Sequence, residues 1–306
     1  MALELTAILA GTVAAATPLI FAGLGELVTQ RSGVINLGVE GMMLVGAIAG
    51  FAFAAQYDAS VFSALLIGGL AGMLMALIFA FFTLSLSTNQ SACGLALTIF
   101  FFLFSAFLGQ NYVSTALPGL ANFNIPLLAD LPVVGPILFQ QNYVVYLSIF
   151  AFFAVWFVLA KTRLGLLLKA VGESPESAHA MGYHVLAIRY GAVLFGGMMA
   201  GIGGAFLSTV YTPMWIENMV AGRGWIAIAL VVFAVWKPTR LILGAYLFGG
   251  VTILQFHAQA LGINVPNEFL AALPYLATIV VLVMISRDKK LLKMNLPASL
   301  GKTFVP

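Results

Sequence analysis

The residues able to do chemistry in this chain are few, and most lie in apolar surroundings. Glu26, Glu40, Glu217 and Arg223 stand within or beside long apolar runs. A charge there is costly, and a pathway role is the default expectation. Uncharged polar residues gather nearby: Asn36, Asn89, Gln90 and Asn218. Such groups hydrogen-bond a polar solute or cap half-helices, and both readings stand. For the charges, an ion pair of Glu26 or Glu40 with Arg31, fixing a broken helix, is the simpler account than direct solute contact. His179, His184 and His257 have no companions at metal-ligand spacing, so no metal site is expected. His179 and His184 read as surface residues. His257, in LQFHAQA, reads equally as a pathway-lining group or an interhelical hydrogen-bond partner. No Gly-rich loop precedes a Lys-Ser or Lys-Thr, so no Walker-type ATP site is expected. No nucleophile–base pair suggests an enzyme. The single cysteine, Cys93, excludes an intrachain disulfide framework and reads as a small core residue.

The elements that must position these residues are membrane helices. The chain has 306 residues, of which 62% are hydrophobic and 8% charged; a soluble domain carries about 25% charged residues. A span needs about 20 apolar residues, so about eight to ten fit. The expected fold is an all-α polytopic transmembrane helical bundle, a single membrane domain over 1–306. Nine spans are read: about Leu5–Leu27, Gly41–Ala55, Val61–Leu86, Cys93–Gly109, Tyr143–Ala160, Tyr190–Val210, the short Trp225–Trp236, Leu241–Leu261 and Phe269–Ser286. Residues 110–142 form a long Pro-rich loop whose only charge is Asp130. The run FFFLF at 100–104 reads as lipid-facing filler rather than a stacking box. GGMMAGIGGAF in the sixth span is dense enough in small residues for helix backbones to approach closely. No cleavable signal peptide is expected, because MALELTAILAG lacks a basic leading region.

The basic residues orient the bundle. Four of the thirteen lie in 161–189, two in 237–240 and five in 287–302. Counting back from the tail places all three groups on one side, which the positive-inside rule makes cytoplasmic, with the basic tail 287–306. They sit at membrane flanks, so the formal net charge of +3 gives no reason to expect nucleic acid. Two stretches resemble each other in kind: QRSGVINLGVEGMMLVGA and AGRGWIAIALVVFAV. Each has one Arg, a Gly break and a short apolar half-helix, and the topology brings them in from opposite sides. Broken or re-entrant helices related by an inverted repeat produce that pattern. Two ordinary loops, each with an Arg, would also produce it.

One segment, Lys161–Arg189, is polar in an apolar chain. Within it Glu173, Ser174, Pro175, Glu176, Ser177, Ala178, His179, Ala180, Met181 and Gly182 read as a short capped helix. Ser174 suits the N-cap, Pro175 the first helical position, Glu176 the first turn and Gly182 the stop. Isolated helices below about 12–15 residues are marginal in water, so this one needs a partner surface. With no ATP site in the chain, a separate ATPase is the expected partner.

SGVINLGVEGMMLVGA, GESPESAHAMGY and ENMVAGRGWIAIALVVF together resemble the permease subunits of bacterial ABC importers in the branched-chain amino acid and simple sugar permease superfamily. The first wording is most similar to nucleoside-type permeases. The resemblance spans about Pro18 to Arg287. It implies that Glu173–Gly182 docks in a groove on an ABC ATPase subunit, which holds ATP and magnesium; no cofactor is expected in this chain. It further implies a second, related permease in a heterodimer, an extracytoplasmic substrate-binding lipoprotein, and a multi-pass location in the bacterial inner membrane. The chain would then form half of a pathway for nucleosides, with simple sugars as the alternative. An ion-gradient-driven secondary transporter is the competing class, and would need a midplane carboxylate such as Glu26 or Glu40. A membrane scaffold or enzyme is the third.

Overall fold

The computed structural model describes residues 2–126, 128–129, 131–132, 134–260 and 295–305, with isolated positions between 269 and 283. Among the described residues ten α-helices follow one another: α1 (Ala2–Arg31), α2 (Val39–Tyr57), α3 (Val61–Ala80), α4 (Gln90–Gly109), α5 (Tyr143–Lys161), α6 (Arg163–Glu173), α7 (Pro175–Ala180), α8 (Val185–Phe206), α9 (Arg223–Phe233) and α10 (Pro238–Ala260). α3 and α8 each end in a π-helical turn, Phe81–Ser85 and Leu207–Tyr211. The described residues form no strands, only isolated bridges joining Val113 to Trp215 and Ala116 to Met214.

Seven of these helices are long and apolar enough to cross a membrane. They correspond to the first six expected spans and the eighth. The expected seventh span is instead a half-helix: α9 has 11 residues, about 16 Å at 1.5 Å per residue, against a core of about 30 Å. The expected ninth span falls for the most part outside the described residues, as do Asp130 and the tail's Arg287–Lys293.

α8 is the centre of the bundle, packed on α1, α2 and α3. Lipid offers helices no hydrophobic gain for pairing, so close backbone approach must hold them together. The small residues of α8 provide it. A methyl group added at Gly201 would strike the Gly68 carbonyl of α3, and one at Gly204 the Met43 carbonyl of α2. The FFFLF run divides: Phe101 is fully buried, while Phe100 and Leu103 face outward. α5 likewise presents Phe150, Phe153 and Phe157 outward. These rows are the expected lipid face.

Candidate functional site

The two Gly-broken stretches meet inside the bundle. α1 ends at Arg31, and residues 32–38 climb back along α4. Ile35 N donates to Gln90 Oε1 (2.9 Å), and Thr98 Oγ1 donates to the Leu37 carbonyl (2.9 Å). Gln90 to Thr98 is about 12 Å of helix rise, so α2 begins well inside the membrane. From the opposite end, residues 212–222 descend through left-handed turns at Asn218, Ala221 and Gly222. They deliver the start of α9 to the start of α2. Irregular backbone at membrane depth is tolerated where protein buries it or where it lines a cavity. Ser32, Gly33, Val34 and Asn36 are buried, and Gly222 lines a cleft.

Glu40 is the junction. It is 5% exposed, and its carboxylate accepts from Gly222 N and Gly224 N, both at 2.7 Å. An anion at a helix N-terminus satisfies free N–H groups and opposes the helix dipole. Arg223 lies near enough to Glu40 to act on it electrostatically, and its Nη1 donates to the Met219 and Val220 carbonyls at 3.1 Å. Beside the junction is a cleft of about 500 Å³ lined by Glu40, Leu44, Thr98, Ile99, Phe102, Asn218, Ala221, Gly222 and Trp225.

The other polar candidates take different places. Asn36 is fully buried and accepts from Gly38 N (2.9 Å), pinning the break. Gln90 is buried against Ile35 and the Lys302 carbonyl. Asn89 is exposed and caps α4, accepting from Ala92 N (2.9 Å). Glu217 is exposed in the descending segment, and Asn218 is exposed at the cleft. The structure therefore brings Glu40, Asn218 and Arg223 together and separates Asn89 and Gln90 from them. His257 is half-buried on α10, and Cys93 half-buried on α4.

The expected Arg31 ion pairs do not form among the described residues. Arg31 Nε and Nη2 donate to the Trp236 carbonyl, and Nη1 to the Asn295 carbonyl. Glu26, 1% exposed, accepts at Oε1 from Gln30 Nε2 (2.9 Å) and Asn36 N (3.4 Å). Gln30 Oε1 in turn accepts from Trp236 Nε1 (2.8 Å). Both acids are held by backbone or amide donors rather than by Arg31. Val235 and Trp236 both hold left-handed backbone angles, unfavourable for such side chains; Arg31 and Gln30 clamp that turn.

At the basic end, α6 leads into α7. Ser174 has extended backbone angles and its Oγ accepts from Ser177 N (3.2 Å). Pro175 follows at the first helical position, and Gly182 ends the unit with φ +88°. Pro175 and Ala178 are buried. Glu173, Glu176, Ser177, His179, Ala180, Met181 and Gly182 are exposed, with Met181 at 66% exposure. The inner face does not wait for another chain. Ala178 packs with Val171, Val185 and Phe304, and the His179 ring meets Phe304 edge to face at 5.8 Å.

Phe304 belongs to residues 295–305, which sequence reasoning read only as part of a basic tail. They insert between α7 and the break after α1. Arg189, fully buried, donates to the carbonyls of Ser32 (3.1 Å) and Lys302 (3.2 Å) and to Ser299 Oγ (3.1 Å). The Pro and Phe in NLPASLGKTFVP are the only local hint of an ordered segment.

Broken helices meeting head to head inside a Gly-packed bundle define a transporter-type membrane domain. The fold matches a solved ABC transporter, provisionally classed as metal-chelate type and in an inward-facing conformation, with a TM-score of 0.51 at 17% identity. That match covers 92% of this chain and 86% of the other. Residues 8–285 match the family described as "Branched-chain amino acid transport system / permease component". The chain is 40% identical to TsgC13 of Haloferax volcanii, an ABC transporter permease protein provisionally assigned to glucose, over 97% of each chain. It is 33% identical to the nucleoside ABC transporter permease protein NupC of Lactococcus lactis, over 90% of this chain and 91% of the other. It is 32% identical to the guanosine ABC transporter permease protein NupQ of Bacillus subtilis, over 91% of each. The chain belongs to the branched-chain amino acid transport system permease family, and is a multi-pass membrane protein.

Proposed function

We propose that the chain is the permease subunit of an ATP-driven ABC importer and forms half of a translocation pathway for nucleosides. The observation carrying this reading is the Glu40 junction, where the starts of α2 and of the half-helix α9, entering from opposite ends, meet beside a polar and aromatic cleft. Phe102 and Trp225 offer ring faces for a base. Thr98 and Asn218 offer hydrogen bonds for ribose hydroxyls. The 40% identity to a permease assigned to glucose favours a second reading, simple-sugar import.

Energy enters through α7. Its exposed outer face, Glu173 to Gly182, docks on a separate ATPase subunit that holds ATP and magnesium, and the basic end is cytoplasmic. A second, related permease completes the pathway in a heterodimer. A substrate-binding lipoprotein delivers solute on the opposite side. Nucleotide shifts the population between transporter states by binding them with different affinities.

The test is solute uptake by vesicles containing the full assembly, with labelled guanosine and labelled glucose. Guanosine uptake that survives collapse of ion gradients and stops on ATP depletion is the expected result. Glucose uptake alone selects the second reading, and loss of uptake with the ion gradient overturns both in favour of a secondary transporter. Ligand identification on the cognate binding protein reads the same specificity independently.

A further inference from the structure

A second polar cleft lies away from the Glu40 junction, at the basic end of the bundle. It holds about 240 Å³ and opens between the last turns of α5 and the start of α10, with Arg31, Trp156, Lys169, Trp236, Lys237 and Asn295 on its walls. Of the five N–H donors of a guanidinium, Arg31 commits three to the Trp236 and Asn295 carbonyls. The side chains of Lys169 and Lys237 have no ion-pair or hydrogen-bond partner among the described residues. The acid that acts on Arg31 electrostatically is Glu173, exposed on α6 and outside the cleft walls. Three cations thus share one small space, and burial together with Arg31 holds the Lys169 amine below the usual lysine range.

We propose that this cleft binds the phosphate headgroup of an anionic phospholipid. The position selects a lipid over a soluble anion. Trp156, 37% exposed, stands near the end of the membrane helix α5, the level where tryptophan rings meet headgroups. Pro238 and Thr239, also on its walls, begin the next membrane helix, so the cleft lies at the flank of the membrane helices. Basic pockets between membrane helices favour such headgroups. A phosphate there bridges α1, α6 and the turn before α10, and relieves the repulsion among the three cations. This site stands apart from the transport reading and does not depend on it.

The test is native mass spectrometry of the full chain, with whatever subunits copurify, in neutral detergent. Phosphatidylglycerol, phosphatidylcholine and inorganic phosphate are the probes. Phosphatidylglycerol is retained over phosphatidylcholine, and the Lys169→Gln/Lys237→Gln pair binds it about thirtyfold more weakly. The arginine pair Lys169→Arg/Lys237→Arg retains it, and glutamine at Arg163 and Arg240, outside the cleft, changes nothing. If the glutamine pair does not purify as a monodisperse species, Lys237→Gln alone shows a loss of about fivefold. Equal retention by the glutamine variants, equal retention of phosphatidylcholine, or displacement of the lipid by inorganic phosphate at similar concentration overturns the proposal.

Discussion

Two buried charges act through backbone atoms rather than through each other. Glu40 holds the N-terminus of α9 with two hydrogen bonds of 2.7 Å. Glu40→Gln keeps one acceptor but loses the charge, so it should destabilise the protein by about 1–3 kcal/mol and abolish transport. A lower unfolding midpoint in detergent, with a larger drop for Glu40→Ala, is the expected readout. An unchanged midpoint would show that α9 does not need the carboxylate. Arg189 answers to three oxygens at once, those of Ser32, Lys302 and Ser299. Its removal takes that donor from the Ser32 carbonyl and Ser299 Oγ and leaves the Lys302 carbonyl with Gln90 Nε2 alone. Arg189→Ala should cost about 3 kcal/mol or more, and Arg189→Lys should recover little, because an ammonium cannot reproduce the guanidinium fork. Thermal unfolding of both variants checks this. Neither role was legible beforehand. Glu40 and Gly222 are 182 residues apart, and no local pattern marks such a pair.

Elements were more legible than contacts. Caps, breaks and apolar runs are local, so Ser174, Pro175 and Gly182 foretold the bounds of α7, and the glycines after Arg31 and before Arg223 marked the breaks from which α2 and the half-helix α9 start. The support of α7 was misjudged for the complementary reason. Its inner face is covered by Phe304, more than a hundred residues away, so only its outer face is left exposed. That divides its substitutions. Phe304→Ala removes the inner support, and should cost about 3 kcal/mol and weaken coupling through loss of structure. Ala180→Gln and Met181→Gln alter only the outer face, and should uncouple ATP hydrolysis from transport without moving the unfolding midpoint. An outer-face pair that retains full coupled transport would remove α7 from the docking role. Gly182→Ala meets no atom within 4 Å, so its cost is the left-handed backbone alone, about 1 kcal/mol.

The whole molecule has one basic end, and the packing explains more of it than charge counting does. Arg31, Lys169, Lys237 and Asn295 converge on one cleft, and Arg189 on α8 holds the Lys302 carbonyl. On the proposed orientation, with the basic end cytoplasmic, a cysteine at Ser177 should react with an impermeant maleimide only in inside-out vesicles, and one at Glu217 only in right-side-out vesicles. The reverse pattern would invert the topology. The bundle's tightness is open to a separate measurement. Gly204→Ala drives a methyl into the Met43 carbonyl, and should cost about 1–3 kcal/mol through overpacking.

Residues 295–305 complete a closed linkage. At one end Phe304 lies under α7. At the other, Gly301 N donates to the Gly33 carbonyl (3.0 Å), and the Lys302 carbonyl receives Gln90 Nε2 and Arg189 Nη1. Gly33 begins the backbone insertion that ends at Glu40. Kinematically the segment is a tie rod: α7 and that insertion move as one body, or the rod lets go at Gly301 and Lys302. A displacement of α7 thus has a route to the head of α2 through residues 301–304, beside the one along α8.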